Sequence, residues 1–238
     1  MTTEEFSNEF DVLLSTYSDI DGFGKVANIS FNEYEKSVFL TRAQEELVTT
    51  FYSGRTSSND SFEKTEELRR YLGNLVKTYT TSEKETGHTG ISTNSVFFKL
   101  PPDLWFITYE AVDLKDDKLL CNIESNVTVL PVTQDDYHRI KKNPFRGSNN
   151  RRVLRLDIKD NVVEIISPYN IERYIVRYLT RPNPIILEEL PYNLTINGSK
   201  YRTECELNSV LHRTILERAV DIAFRSKAAF NSSTNTDS

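Results

Sequence analysis

Apolar residues recur at helical spacing at the start of the chain, where Phe6, Phe10, Leu13, Leu14 and Tyr17 share one face and Glu4, Glu5, Glu9 and Asp11 lie around the rest. The spacing predicts an amphipathic helix, broken at Asp21-Gly22-Phe23-Gly24. A second helix is announced by Asn32 with Glu35 three positions on, a capping-box pair preceded by Phe31 as an apolar staple, and it should end at Ser53-Gly54. A third is predicted from Asp60 or Ser61 after the TSSNDS linker, with Leu68, Tyr71, Leu72, Leu75, Val76 and Tyr79 on its buried face.

From residue 80 the pattern changes. The polar, glycine-containing run TTSEKETGHTGISTN marks a boundary or mobile loop, and short β-branched and aromatic stretches follow it: SVFFKLP, LWFITYEAV, KLLCNI and NVTVLPV. TQDDYHRIKKN reads as a short helix capped by Thr133. RRVLRLDI and VVEIISP flank Lys159-Asp160-Asn161 as a hairpin in which Asn161 takes a left-handed conformation. YIVRYLT is one more strand. Pro182 and Pro184 lack an N–H to give to a ladder, so pairing should stop at Arg181 and the chain leave the sheet at an edge. The aliphatics Ile185, Ile186 and Leu187 then need an apolar surface, in their own domain or on a neighbouring subunit. Leu211, Ile215, Ala219, Ile222 and Ala223 line a last helix, about Ser209 to Ala228, with Asn208 as cap.

The expected class is α+β: an N-terminal helical region, a central mostly antiparallel sheet with hairpins, and a C-terminal amphipathic helix. The expected divisions are a helical region over 1–80, a polar linker over 81–94, a β-rich region closed by the last helix over 95–228, and a disordered tail over 229–238.

The 238 residues carry a net charge of −6 and are 38% hydrophobic, enough for a sizeable core and poorly suited to coating nucleic acid over a whole face. The first residues lack a signal-peptide pattern and no run approaches a membrane span, so a soluble, unexported product with no membrane contact is expected. Cys121 and Cys205 stand far apart outside any CxxC pair, which predicts reduced, buried thiols and no metal. His88, His138 and His212 are scattered. No phosphate loop or catalytic signature occurs, and the neighbours Asp135 and Asp136, or Glu188 and Glu189, do not converge as an acid–base pair. Neither a catalytic site nor a cofactor is expected.

Charge segregation is the sharper feature. Residues 138–155 hold Arg139, Lys141, Lys142, Arg146, Arg151, Arg152 and Arg155 and no acid, whereas residues 1–21 hold Glu4, Glu5, Glu9, Asp11, Asp19 and Asp21 and no Lys or Arg. Two uses follow. The basic segment could track phosphates, with Tyr137 and Phe145 as stacking groups, or it could meet the acidic face of a second copy head to tail. The acidic remainder of the chain favours the second. The candidate interface is therefore Glu4, Glu5, Glu9 and Asp11 with Arg139, Lys141, Lys142, Arg146, Arg151 and Arg152, joined by the arm at Pro182, Pro184, Ile185 and Ile186.

Four stretches, FNEYEKSVFLTRAQEELV (31–48), LPVTQDDYHRIKKNPFRGSNNRRVLRLD (130–157), RYIVRYLTRPNPIILEEL (173–190) and CELNSVLHRTILERAVDIA (205–223), resemble structural proteins of crAss-like bacteriophages, nearest to their neck ring, or head-to-tail connector, proteins. The resemblance implies a non-enzymatic virion component made in the host bacterial cytoplasm. It implies a homo-oligomeric ring, twelvefold like the portal, that forms part of the DNA conduit. The implied partners are the portal protein and other neck ring or tail proteins, with transient contact to phage DNA. The alternative is a nucleic-acid-binding accessory phage protein that uses residues 138–155.

Overall fold

The structure, a computed structural model, describes residues 1–20, 30–54, 66–117, 123–143 and 145–234. The expected break at Asp21–Gly24, the TSSNDS linker, the start of the third helix and Cys121 lie outside them. Among the described residues five α-helices and seven strands make an α+β protein, and the chain divides into two compact units: Met1–Leu75 with Arg181–Ser238, and Val76–Thr180.

The first unit is helical. Helix α1 (Thr3–Ile20) buries Phe6, Phe10 and Leu14, as its spacing predicts. It opens on a reciprocal cap in which Thr2 Oγ1 accepts from the Glu5 N–H and the Glu5 carboxylate accepts from the Thr2 N–H. Helix α2 (Glu33–Ser53) carries the expected capping box of Asn32 and Glu35, and Gly54 closes it at φ 67°, a conformation that suits glycine. Phe31 packs edge-on to Phe39 of α2 and to Phe10 of α1. Helix α3 (Glu66–Tyr71) is short, and α5 (His212–Thr234) follows a 3-10 turn capped by Asn208. It runs past the expected end near Ala228, because Phe230 to Thr234 hold no Gly or Pro to stop it. Leu211, Ile215, Ala219, Ile222 and Ala223 are buried, and α5 packs on both α1 and α2.

The arm after the prolines docks within this unit. Ile185 and Ile186 are fully buried, with Leu187 nearly so. Thr41 Oγ1 accepts from the Ile185 N–H at 3.1 Å and donates to its carbonyl at 3.3 Å, while Ser37 Oγ accepts from the Leu187 N–H at 3.0 Å. Gln44 donates to the Asn183 carbonyl, and Ile186 pairs with Thr203. Small hydroxyls on one face of α2 thus give extended backbone the partners that burial demands.

The second unit is one seven-stranded sheet, ordered β1-β7-β3-β4-β5-β6-β2. Its strands are β1 (Val76–Thr81), β2 (Ser95–Lys99), β3 (Leu104–Lys115), β4 (Ile123–Pro131), β5 (Arg152–Asp157), β6 (Val162–Ile166) and β7 (Ile171–Thr180). Only the β4–β5 pair is parallel. Two expectations need correction here. Val76 and Tyr79 belong to strand β1 rather than to the third helix: the Val-Lys-Thr-Tyr-Thr-Thr run suits a pleated ribbon, and it pairs with β7 over its full length. Strand β7 is also no edge, since β1 and β3 flank it. Pairing does stop at Thr180, and because both prolines lie beyond the ladder they demand no free edge. The β5–β6 turn has Asp160 and Asn161 both at positive φ, at 61° and 58°.

The sheet curls on itself. Strands β7 and β2 are five places apart in the order, roughly 24 Å in a flat sheet at ~4.8 Å per strand. Yet the Tyr174 and Phe98 rings lie 5.3 Å apart, inside a single core with Val112, Val127, Val153 and Ile165. Register shifts along β3 provide the bending. The polar 82–94 stretch crosses between the ends of the sheet: Glu85 bridges to Phe97, and buried Glu164 accepts from the Ile91 N–H and the Ser95 hydroxyl.

A parallel pair needs a crossover, and helix α4 (Gln134–Lys141) supplies it between β4 and β5. Thr133 caps it as expected, and Tyr137 seals it onto Leu154, Leu156 and Ile166 on the outer face of the sheet. The loop that returns from α4 to β5 is the basic segment.

Candidate subunit interface

The cations of residues 138–155 separate into three sets. Arg155 points inward, where its guanidinium meets Glu110 at 2.6 Å and Asp157 at 3.3 Å. Burial opposes the Arg155 charge and the Glu110 carboxylate outweighs it, so its pKa rises. Burial, with Glu110 beside it, also holds the Tyr174 hydroxyl protonated far above its ordinary range, and that hydroxyl donates to Glu110. Arg139 and Arg152 are engaged at the surface: Arg139 pairs with Asp136 at 2.5 Å, and Arg152 donates to the Phe145 carbonyl. The third set is Lys141, Lys142, Arg146 and Arg151. All four are exposed, and among the described residues none meets a carboxylate; Lys141 lies 5.6 Å over the Tyr137 ring.

Backbone turns tie the described residues of the loop that follows Lys141. The Asn143 carbonyl accepts from the Arg146 and Gly147 N–H groups at 3.1 and 2.8 Å, and its side chain accepts from the Phe145 N–H at 2.8 Å. Asn149 Oδ1 accepts from the Arg151 N–H at 2.8 Å. These turns hold Phe145 out, 85% exposed.

The N-terminal acids find partners at home. Glu4 meets Arg202 at 3.4 Å, Glu9 meets Arg213 at 3.2 Å, and Asp11 meets Lys36 at 2.7 Å. Glu5 serves the helix cap. Lys36 also reaches Glu33 at 3.0 Å; burial works against its charge, and the two carboxylates outweigh burial and raise its pKa. Of the arm, Pro182, Pro184, Ile185 and Ile186 are buried in their own unit. The structure therefore brings none of the predicted acids into contact with a predicted cation within one chain.

Sequence reading missed a concavity of about 290 Å³ in the helical unit. Leu187 and Ser7 line it along with Glu4, Glu33 and Glu188, residues from three distant stretches that no single window joins.

His212 sits between the Met1 ammonium at 2.7 Å and the Leu207 carbonyl at 3.0 Å, and burial pushes its pKa below the ordinary value. Burial pushes the Cys205 thiol up to about 11, and it donates to Gln44 Oε1. Among the described residues no His, Cys, Asp and Glu side chains cluster as metal ligands would, and no helix is long and apolar enough to cross a membrane.

Residues 1–236 match the family described as phage tail ring protein 3/4, so the chain belongs to that family and is a crAss-like phage ring protein. It is 54% identical to "Ring protein 3" of Bacteroides phage crAss001 over 228 residues, covering 95% of this chain and 96% of the relative. It is 32% identical to "Ring protein 4/5" of the same phage over 240 residues, covering 97% and 94%.

Proposed function

We propose that this chain is the subunit of a closed homo-oligomeric ring in the virion neck, of twelvefold symmetry, stacked with other ring and tail proteins between portal and tail. Its work is mechanical: to hold the stack together and leave an axial channel for the genome, with no catalysis and no cofactor. The observation that carries this reading is the 54% identity over nearly the whole of both chains to a protein named as a ring. The greater identity to "Ring protein 3" than to "Ring protein 4/5" supports the position of the former in the stack. Rings close through heterologous contacts, in which one surface of each copy meets a different surface of the next. The unpaired cations of the α4–β5 loop and the acidic surfaces of the helical unit supply two such surfaces.

Quantitative mass spectrometry of purified particles tests the proposal. The expected result is as many copies of this chain as of the portal subunit, or a simple multiple. Absence from the particle overturns it.

A second reading rests on Phe145 among four cations, a pairing of aromatic and charge that also suits nucleic acid. An accessory protein binding DNA through 138–155 would lose affinity steeply between low and physiological salt. No binding at low salt would remove this reading.

A further inference from the structure

Phe145 stands 85% exposed on a loop whose described residues are tied by backbone turns. A flexible loop could fold a phenylalanine back onto the protein. Here the Asn143 and Asn149 turns and the bond from Arg152 to the Phe145 carbonyl fix the backbone with the ring outward. Lys142, Arg146 and Arg151 of the same segment are exposed and have no carboxylate of their own among the described residues. An ordered aromatic anchor with a charged surround is what the centre of a protein interface requires.

The same chain carries a surface of complementary chemistry. The hollow, of about 290 Å³, is lined by Leu187 and by the polar side chains of Thr3, Ser7 and Asn8. Its charged lining is entirely acidic. Glu33 shares Lys36, Glu4 is 3.4 Å from Arg202, and exposed Glu188 has no cationic partner among the described residues. The arm fixes its apolar side, because the Leu187 backbone is bound to Ser37.

We propose that Phe145 of one copy seats in this hollow of the next copy, against Leu187, with Lys142 and Arg146 facing Glu4, Glu33 and Glu188. The inference rests on the ring reading and names the contact that closes the ring. Every copy then has one knob and one socket, so a closed ring leaves neither unused, and an open chain of copies exposes one of each. A second copy is favoured over a polyanion because a phosphate backbone needs a continuous basic track. Here the unpaired cations are confined to one short segment on a protein of net charge −6.

The test uses the full-length protein carrying Cys121→Ser, with light scattering after size-exclusion chromatography to follow assembly and oxidative cross-linking to identify the contact. Phe145→Ala and the pair Lys142→Glu with Arg146→Glu should each raise the concentration needed for assembly at least tenfold while leaving the melting temperature unchanged. Adding Glu188→Lys to the reversed loop should recover most of the loss. Phe145→Cys chains mixed with Glu188→Cys chains should give a disulfide-linked pair that neither gives alone; the half-buried Cys205 thiol, its pKa pushed up to about 11, stays protonated and does not compete.

Assemblies that form normally with no cross-link overturn the knob-and-socket contact and leave the ring reading standing. So does a Phe145→Ala chain that assembles normally but loses salt-sensitive DNA binding, which assigns the loop to nucleic acid. A chain that stays monomeric at every concentration overturns the contact as well, and the count in particles then decides the ring reading separately.

Discussion

The acids of α1 and the cations of the α4–β5 loop are two charged regions of similar size treated in opposite ways. Glu4, Glu9 and Asp11 each meet a cation within their own unit, whereas Lys142, Arg146 and Arg151 face solvent on a loop held by backbone turns and by the Asn143 and Asn149 side chains. Charges tied down at home contribute to the fold. Charges held out on the loop contribute little to it, and the proposed contact with a second copy would give them partners.

Substitutions graded by burial sharpen this contrast. The largest loss is expected at Glu110→Ala, which strands the buried Arg155 guanidinium and the Tyr174 hydroxyl; about 3–5 kcal/mol should disappear in chemical denaturation. Replacing both partners, Glu110→Leu with Arg155→Met, should recover most of it, and failure to recover would mean that the pair itself, rather than an orphaned charge, sets stability. Next comes Lys36→Met, which keeps the buried stem but loses bonds to Asp11, Glu33 and Ser7, at about 1–2 kcal/mol. Because the Lys36 pKa is raised in the fold, its contribution is complete below about pH 10.5 and lost as pH rises through the folded value.

His212 gives a smaller, acid-side effect. Its pKa is depressed by burial, so its contribution is complete above about pH 6.5 and lost as pH falls toward the folded value. Wild type should lose stability over that window relative to His212→Gln, measured by thermal melts; parallel pH profiles would break the assignment. Last, Arg146→Ala should leave stability within about 0.5 kcal/mol. A larger drop would show that the loop cations serve the fold after all, and the contrast would collapse.

Local chemistry was legible in the sequence where a signal spans a few residues. The Asn32–Glu35 box, the Thr133 cap and the left-handed Asn161 need only near neighbours. The cap formed by Thr2 and Glu5 has the same spacing and was overlooked because the acids of α1 were read for charge alone. Val76 and Tyr79 continue the helical spacing of Leu68, Leu72 and Leu75, and only pairing with β7, a hundred residues on, makes them strand. Curling of the sheet depends on an order that places β2 and β1 at opposite ends, which no local pattern encodes. Of the candidate interface, the excess of charge was visible. Which charges are spoken for was not, since Arg202, Arg213 and Lys36 lie far from the acids they meet. The arm's preference for its own unit turns on Thr41 and Ser37, two hydroxyls that in sequence look like ordinary helix-surface residues.

The helical unit is built from the two ends of the chain, with the sheet unit, Val76–Thr180, inserted as one continuous piece. During synthesis the sheet can complete its pairing as soon as β7 emerges, while α1 and α2 wait for the arm and α5. At ~5–20 residues per second, the roughly 180 residues after α2 take about 10–40 s to make. Throughout that interval Phe6, Phe10 and Leu40 lack the surface that later covers them. Pulse proteolysis of stalled nascent chains should find the sheet protected first. Under the contact proposed above, a newborn subunit acquires the hollow beside Leu187 only once translation has passed the arm, and the order in which the polypeptide is made would then keep unfinished copies on neighbouring ribosomes from pairing early.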